Sequence, residues 1–239
     1  MARVGFGILM TLVINHVKGV RRSEERLMRV SKEKAARNRE EILISAARLF
    51  REHGIGATGV DSITEDAGLT HGGLYSQFGS KQAIVAEAIR YALARSKRGW
   101  QRAAQAKPAE KALSDIVNAY LSRAHRDSPG HGCLVAALSG DIARQPRVVR
   151  RAFTRELKDL LELLAGLMAD DASSRRYENA IAAFACMVGA MILARAVSDE
   201  ALSSRILKSA AKQVSKITGI SGQVRRSQGP RNVSDSTKT

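Results

Sequence analysis

The chain of 239 residues sets 39 Lys and Arg against 23 Asp and Glu, a formal net charge of +16, with 44% hydrophobic and 26% charged residues. That composition excludes a fibrous or wholly disordered chain and is that of a soluble globular protein with one large or two small domains. Two cysteines, Cys133 and Cys186, exclude a disulfide framework and point to a reducing cytoplasm. Aromatics are only 4%, alanine is plentiful, and no stretch alternates with period two over a strand's length, so the fold class expected is all-α. The positive excess is spread over the chain: residues 1–31, 32–98, 99–220 and 221–239 carry +4, +3, +6 and +3. Such a field favours phosphate backbones, and much of it in the last two segments reads equally as solvated surface.

Residues 1–31 match nothing that follows and are expected to be a non-native or disordered extension. The apolar run Val4–Val17 is too short for a membrane span and lacks a signal-peptide cleavage site. Met28 stands just before the basic lead-in RVSKEKAARNREEI, so translation is expected to start there. The first helix is placed over 32–53, with Ile42, Ala46, Leu49 and Phe50 as its buried stripe and Asn38 and Glu41 as a capping-box-like start. Lys32, Lys34, Arg37 and Arg39 read as candidates to lie along phosphates or as a solvated end.

The segment Val60–Lys81, VDSITEDAGLTHGGLYSQFGSK, reads as two short helices joined by a turn. Val60, Ile63 and Ala67 give the first its apolar face, Gly68 ends it in the left-handed position, and Thr70 is placed to cap the second. Leu74 and Phe78 point inward, four residues apart. His71, Gly72, Tyr75, Ser76 and Gln77 face outward, a surface with little charge and many hydrogen-bonding groups. This is the layout of a helix-turn-helix whose second member enters the DNA major groove.

Across about residues 36–95 the chain resembles the tetracycline-repressor (TetR/AcrR) family of transcriptional regulators. Asp61, Ile63, Ala67, Gly68, Thr70, Leu74, Tyr75, Phe78, Ser80 and Lys81 carry the likeness in register. It implies double-stranded operator DNA as partner, with His71 and Gln77 toward base edges and Thr70, Tyr75 and Lys81 toward phosphates. Gly72 and Gly73 let the backbone approach DNA, and Ser76 joins the same face. Gly59 stands where the family usually has a phosphate-touching Ser or Thr, so Thr58 is the substitute considered. An N-terminal DNA-binding domain over 32–98, a helical regulatory and dimerisation domain over 99–220 and a disordered basic tail over 221–239 follow.

From Ser80, its expected N-cap, a long helix runs to about Arg102 and links the two parts. Further helices are placed at about 109–126, 133–143, 147–169, 176–197 and 199–218. YENAIAAFACMVGAMILARAV is apolar nearly all round, so it must be buried on every side. Pairing of the last two helices (about 176–218) with those of a second copy satisfies that, as the resemblance implies. A small-molecule effector is also implied by the resemblance; Trp100, Tyr120, Cys133, Phe153, Phe184 and Met187 are the candidate lining, with Met168 and Met191, and each is also ordinary core material. Cys133, in PGHGCLVAAL, is placed at a helix start beside His131, which suits either a redox-responsive thiol or a packed one. His125, His131 and Cys133 have no spacing logic for a metal, and no constellation for catalysis occurs, so no metal, cofactor or enzymatic activity is expected. The function expected is a sequence-specific repressor in the cytoplasm, released by an effector or thiol modification, with no membrane partner. The rivals are a sequence-tolerant nucleoid-type DNA binder and, far behind, a helical small-molecule enzyme.

Overall fold

The computed structural model describes residues 32–168 and 173–220. Expectations for 1–31 and 221–239 fall outside the described residues. Every described regular element is a helix. The first, α1, covers 32–53, and Ile42, Ala46, Leu49 and Phe50 are buried beneath the elements that follow. Asn38 and Glu41 lie inside it rather than at its start, because the basic lead-in is itself helical. Gly54 then takes φ +85°, a left-handed conformation that costs glycine nothing. It lets the chain turn through Ile55 into α2, Val60–Asp66.

The helix α3 spans His71–Phe78, and α4, Lys81–Ala106, is the longest at 26 residues. Ser80 caps α4 as expected, its Oγ accepting the Ala83 N–H at 3.2 Å. The helix passes beyond Arg102 and across the expected domain boundary at 98–99, stopping only before Pro108. It therefore belongs to both halves.

After α4 come α5 (Ala109–Tyr120), α6 (Arg123–Arg126), a 3-10 turn (Pro129–His131), α7 (Leu134–Ala143), α8 (Arg147–Gly166), α9 (Ser173–Ala196) and α10 (Glu200–Thr218). The single helix expected over 109–126 is broken at Leu121–Ser122. Ser122 ends one helix and starts the next: its hydroxyl donates to the Ala119 carbonyl at 2.8 Å and accepts the His125 N–H at 3.1 Å. Two local partners for one side chain outweigh helical continuity.

Helix α4 packs on α5, α7 and α8, and α9 on α7, α8 and α10, around one continuous core. The inner side of α9 buries Ala183, Phe184, Met187 and Met191, but Ile181, Ile192 and Leu193 stay 43–56% exposed. The expectation of burial on every side is therefore not met within one chain. By length and composition alone Arg175–Ala196 could cross a membrane; its inner residues instead form the centre of a helical bundle.

Candidate nucleic-acid interface and regulatory cavity

The two short helices are set by their turn. Gly68 takes φ +63°, and the Gly68 and Leu69 N–H groups donate to Glu65 and Thr64 carbonyls at 3.1 and 2.8 Å, closing α2. Gly59, with extended backbone, occupies the N-cap of α2. Thr70 holds the N-cap of α3 without the expected side-chain bond to a backbone N–H; its carbonyl, not its hydroxyl, receives the Gly73 N–H at 3.0 Å. Leu74 and Phe78 anchor α3 in the core at 0% and 8% exposure, while Thr70, Gly72, Tyr75 and Ser76 are exposed on its other side. Gln77 and Lys81 are half-buried at its end and at the first turn of α4. The side chain of His71 lies outside what is described.

Two expected contacts turn inward. The Thr58 side chain is buried and its hydroxyl donates to the Gly54 carbonyl at 2.8 Å, holding the loop that Gly54 opens, so it offers nothing to a phosphate. Arg39 is committed to the fold: it pairs with Glu87 of α4, donates to the Gln77 carbonyl at 2.6 Å and lies 4.1 Å over the Phe78 ring. It clamps α1, α3 and α4 together. Lys32, Lys34 and Arg37 are exposed.

Behind α4 a cavity of about 420 Å³ brings together Trp100, Tyr120 and Cys133 with Ile116, His125 and Gly132. Phe184 packs edge-on against Trp100 and Tyr120, at 6.1 and 6.2 Å between ring centroids, and forms the core behind them rather than the wall. Met187 is fully buried and Phe153 packs on the core elsewhere, so neither reaches this space. The imidazole that meets Cys133 is His125, not His131: the Cys133 N–H donates to His125 Nε2 at 2.8 Å. Nδ1 of the same ring then carries the proton and donates to the Tyr120 carbonyl at 2.6 Å. Burial, with the Arg195 charge adding to it, holds His125 below its usual titration range. The Tyr120 hydroxyl is buried without a hydrogen-bond partner; the Cys133 thiol acts on its ionisation yet stands outside hydrogen-bond geometry. Burial keeps that phenol protonated, a donor left over just behind the cavity wall.

Residues 42–88 match the bacterial regulatory proteins of the tetR family. Over 176 residues the chain is 30% identical to an uncharacterized HTH-type transcriptional regulator of Mycobacterium tuberculosis, covering 67% of this chain and 86% of that one. The chain belongs to the TetR family of DNA-binding transcriptional regulators.

Other likenesses divide along the same line. The HTH-type transcriptional repressor KstR2 of Rhodococcus jostii is 46% identical over 52 residues, 22% of this chain and 26% of that one. The reduced form of NemR from E. coli superposes with a TM-score of 0.65 at 18% identity, over 77% of this TetR-family chain and 97% of that one, a likeness of fold. Regulators of the TetR family bind operator DNA, act as dimers and respond to small molecules. Sequence reasoning missed one feature of this regulator. Arg95, Gly99 and Arg102 recur at i, i+4 and i+7 on one face of α4, where they meet Arg51 of α1 across a cleft of about 450 Å³. The helical spacing was there to find.

Proposed function

We propose that this regulator is a homodimeric repressor whose two α3 helices enter successive major grooves of a palindromic operator, about 34–36 Å apart. The observation that carries the reading is the face of α3 opposite Leu74 and Phe78, hydrogen-bonding and nearly uncharged on a chain of net charge +16. Gln77 and His71 read base edges; Thr70, Tyr75 and Lys81 hold phosphates, and Gly72 and Gly73 let the backbone come close. The exposed apolar side of α9 supports dimerisation through α9 and α10. Leu193, Leu202, Ile206 and Gly189 line a groove between these helices, and a second copy of the same pair would cover it. The cavity at Trp100, Tyr120 and Cys133 is the place for an effector, its size within the range of small-molecule sites. The unpartnered Tyr120 hydroxyl supplies a hydrogen bond there, and Cys133 supplies a thiol whose modification would alter the same space. Such a protein works in the cytoplasm, where its operator is.

Footprinting of reduced and oxidised protein on DNA upstream of its own gene tests the reading. A protected palindrome is expected; equal affinity for random DNA at a stated salt concentration would favour the sequence-tolerant rival instead. Loss of protection on oxidation, absent from a Cys133→Ala variant, would assign the switch to that thiol.

A further inference from the structure

The cleft of about 450 Å³ between α1 and α4 is lined with arginine. Arg48, Arg51, Arg95 and Arg102 line it, with His131 of the 3-10 turn. Arg48 is neutralised by Glu52 at 2.6 Å and by Asp66. Arg51 has only a neutral carbonyl, its Nε donating to Gly130 at 2.7 Å. Among the described residues neither Arg95 nor Arg102 has a carboxylate within ion-pair reach. Burial brings the Arg51 guanidinium down to about 10, and the Arg95 charge adds to that depression. An anion between them would relieve both effects. The Glu52 carboxylate, paired with Arg48, stands against Gly130, on the position a Cβ would take there.

This cleft adjoins the effector cavity. Ser96, Gly99, Trp100, His131 and Gly132 line both spaces. Gly99 has no side chain to close the way between them, and a Cβ built there meets nothing within 4 Å. On the far side Trp100, Ala103, Ile116 and Ala119 make an apolar wall, Asp115 at its edge is paired with Lys107 and Lys111, and the Tyr120 hydroxyl lies buried behind the wall. A charged head at one end and an apolar body at the other would match both chambers.

We propose that the effector is an organic anion with an apolar body, its head held by Arg51, Arg95 and Arg102 and its body passing Gly99 toward Tyr120. The proposal rests on the reading of this chain as an effector-responsive repressor and adds the chemical class of the ligand. It also supplies the coupling. Arg51 lies in the last turn of α1, on the DNA-binding half, and among the described residues its bond to Gly130 is one of two polar ties across that seam; the other is the Ile55 N–H to Asp141 Oδ2 at 2.9 Å. An anion that draws Arg51 toward α4 weakens its hold on Gly130 and so favours a different seating of α1 to α3. It acts only as far as its affinity differs between the two seatings.

Trp100 is the chain's single tryptophan and lines both chambers, so its fluorescence reads the site without any DNA. Decanoate and 4-phenylbutyrate should each give a saturable response, with decanol and 4-phenylbutanol weaker by about tenfold or more, the worth of a charge-assisted hydrogen bond. The Arg95→Ala/Arg102→Ala variant, which changes two exposed side chains, should lose that advantage while its affinity for the alcohols stays as in the natural chain. Gly99→Leu should weaken acids and alcohols together. Acids and alcohols binding alike, no saturable response to either acid, or inorganic phosphate competing as well as decanoate would each overturn the proposal. A site that behaves as described while decanoate leaves the operator footprint unchanged would sink the effector role and keep the anion site. Absence of any footprint would strike the repressor reading alone.

Discussion

In α3 two side chains, Leu74 and Phe78, make the buried face, and the remainder is glycine and hydrogen-bonding groups. In α9 the buried face is continuous, and the outer face is still apolar, with Ile192 and Leu193 in solvent. The first helix is short and held by turn chemistry at both ends: Gly68 in the left-handed region before it and the Ser80 cap just after. The second is 24 residues long and held mainly by packing, with Arg195 near its end donating to the Arg126 and His125 carbonyls. A helix that must present polar groups to a partner is fixed from its ends and from two anchors. A helix proposed to receive a copy of itself keeps apolar surface in reserve.

The contrast breaks most sharply at the anchors. Leu74→Ala should destabilise the fold by about 2–5 kcal/mol, seen as a lowered Tm, because Phe78 is then the only buried anchor left to these eight residues. At the other pole, Leu193→Asp should leave the subunit folded yet yield monomers in sedimentation and weaken operator protection by about a hundredfold. Full dimer formation in that variant would place the interface elsewhere. Arg39→Ala tests whether α3 is also clamped from α1. Loss of about 1–2 kcal/mol is expected, kept modest because the pair with Glu87 is partly exposed.

Two finer tests follow. The folded chain holds His125 below its ordinary value of 6.5, so the unfolded state binds more protons near that value. Stability should be complete above pH 6.5 and fall as pH drops below it; His125→Gln should flatten that slope in urea titrations at several pH values. A proton on Nε2 would face the Cys133 N–H, which gives the depression a geometric reason beside burial. The smallest effect belongs to Gly72→Ala. A Cβ there meets nothing within 4 Å, so the free protein should gain up to about 1 kcal/mol while operator affinity falls. Unchanged affinity would show that the backbone does not come close to DNA at this position.

What could be read from the sequence follows the same division. The α2–turn–α3 unit was legible because its signals are local: a glycine where φ must be positive, a serine before a helix, apolar residues four apart. The regulatory half yielded its helices but not the break at Leu121–Ser122, since a serine that both donates backward and accepts forward looks like any small polar residue. Thr58 and Arg39 were misassigned for a shared reason. Their partners are set by the path of the Gly54 loop and by residues 38 and 48 positions away, which no spacing rule reports. Trp100, Tyr120 and Cys133 did come together, but the residue that organises them, His125, had seemed only an unlikely metal ligand. The arginine cleft draws on α1 and two turns of α4; each half has a helical period, but nothing in the sequence says that the two faces meet.

The unbroken run of α4 from the Ser80 cap to Ala106 has a mechanical meaning. Its 26 residues make a rod about 39 Å long. One end is seated beside α3 and the other among α5 and α8. Rotating such a rod by about 5° about its far end sweeps the near end through roughly 3.4 Å, the rise of one base step. Angular changes too slight to disturb the core thus shift the two halves of a dimer by about one base pair each.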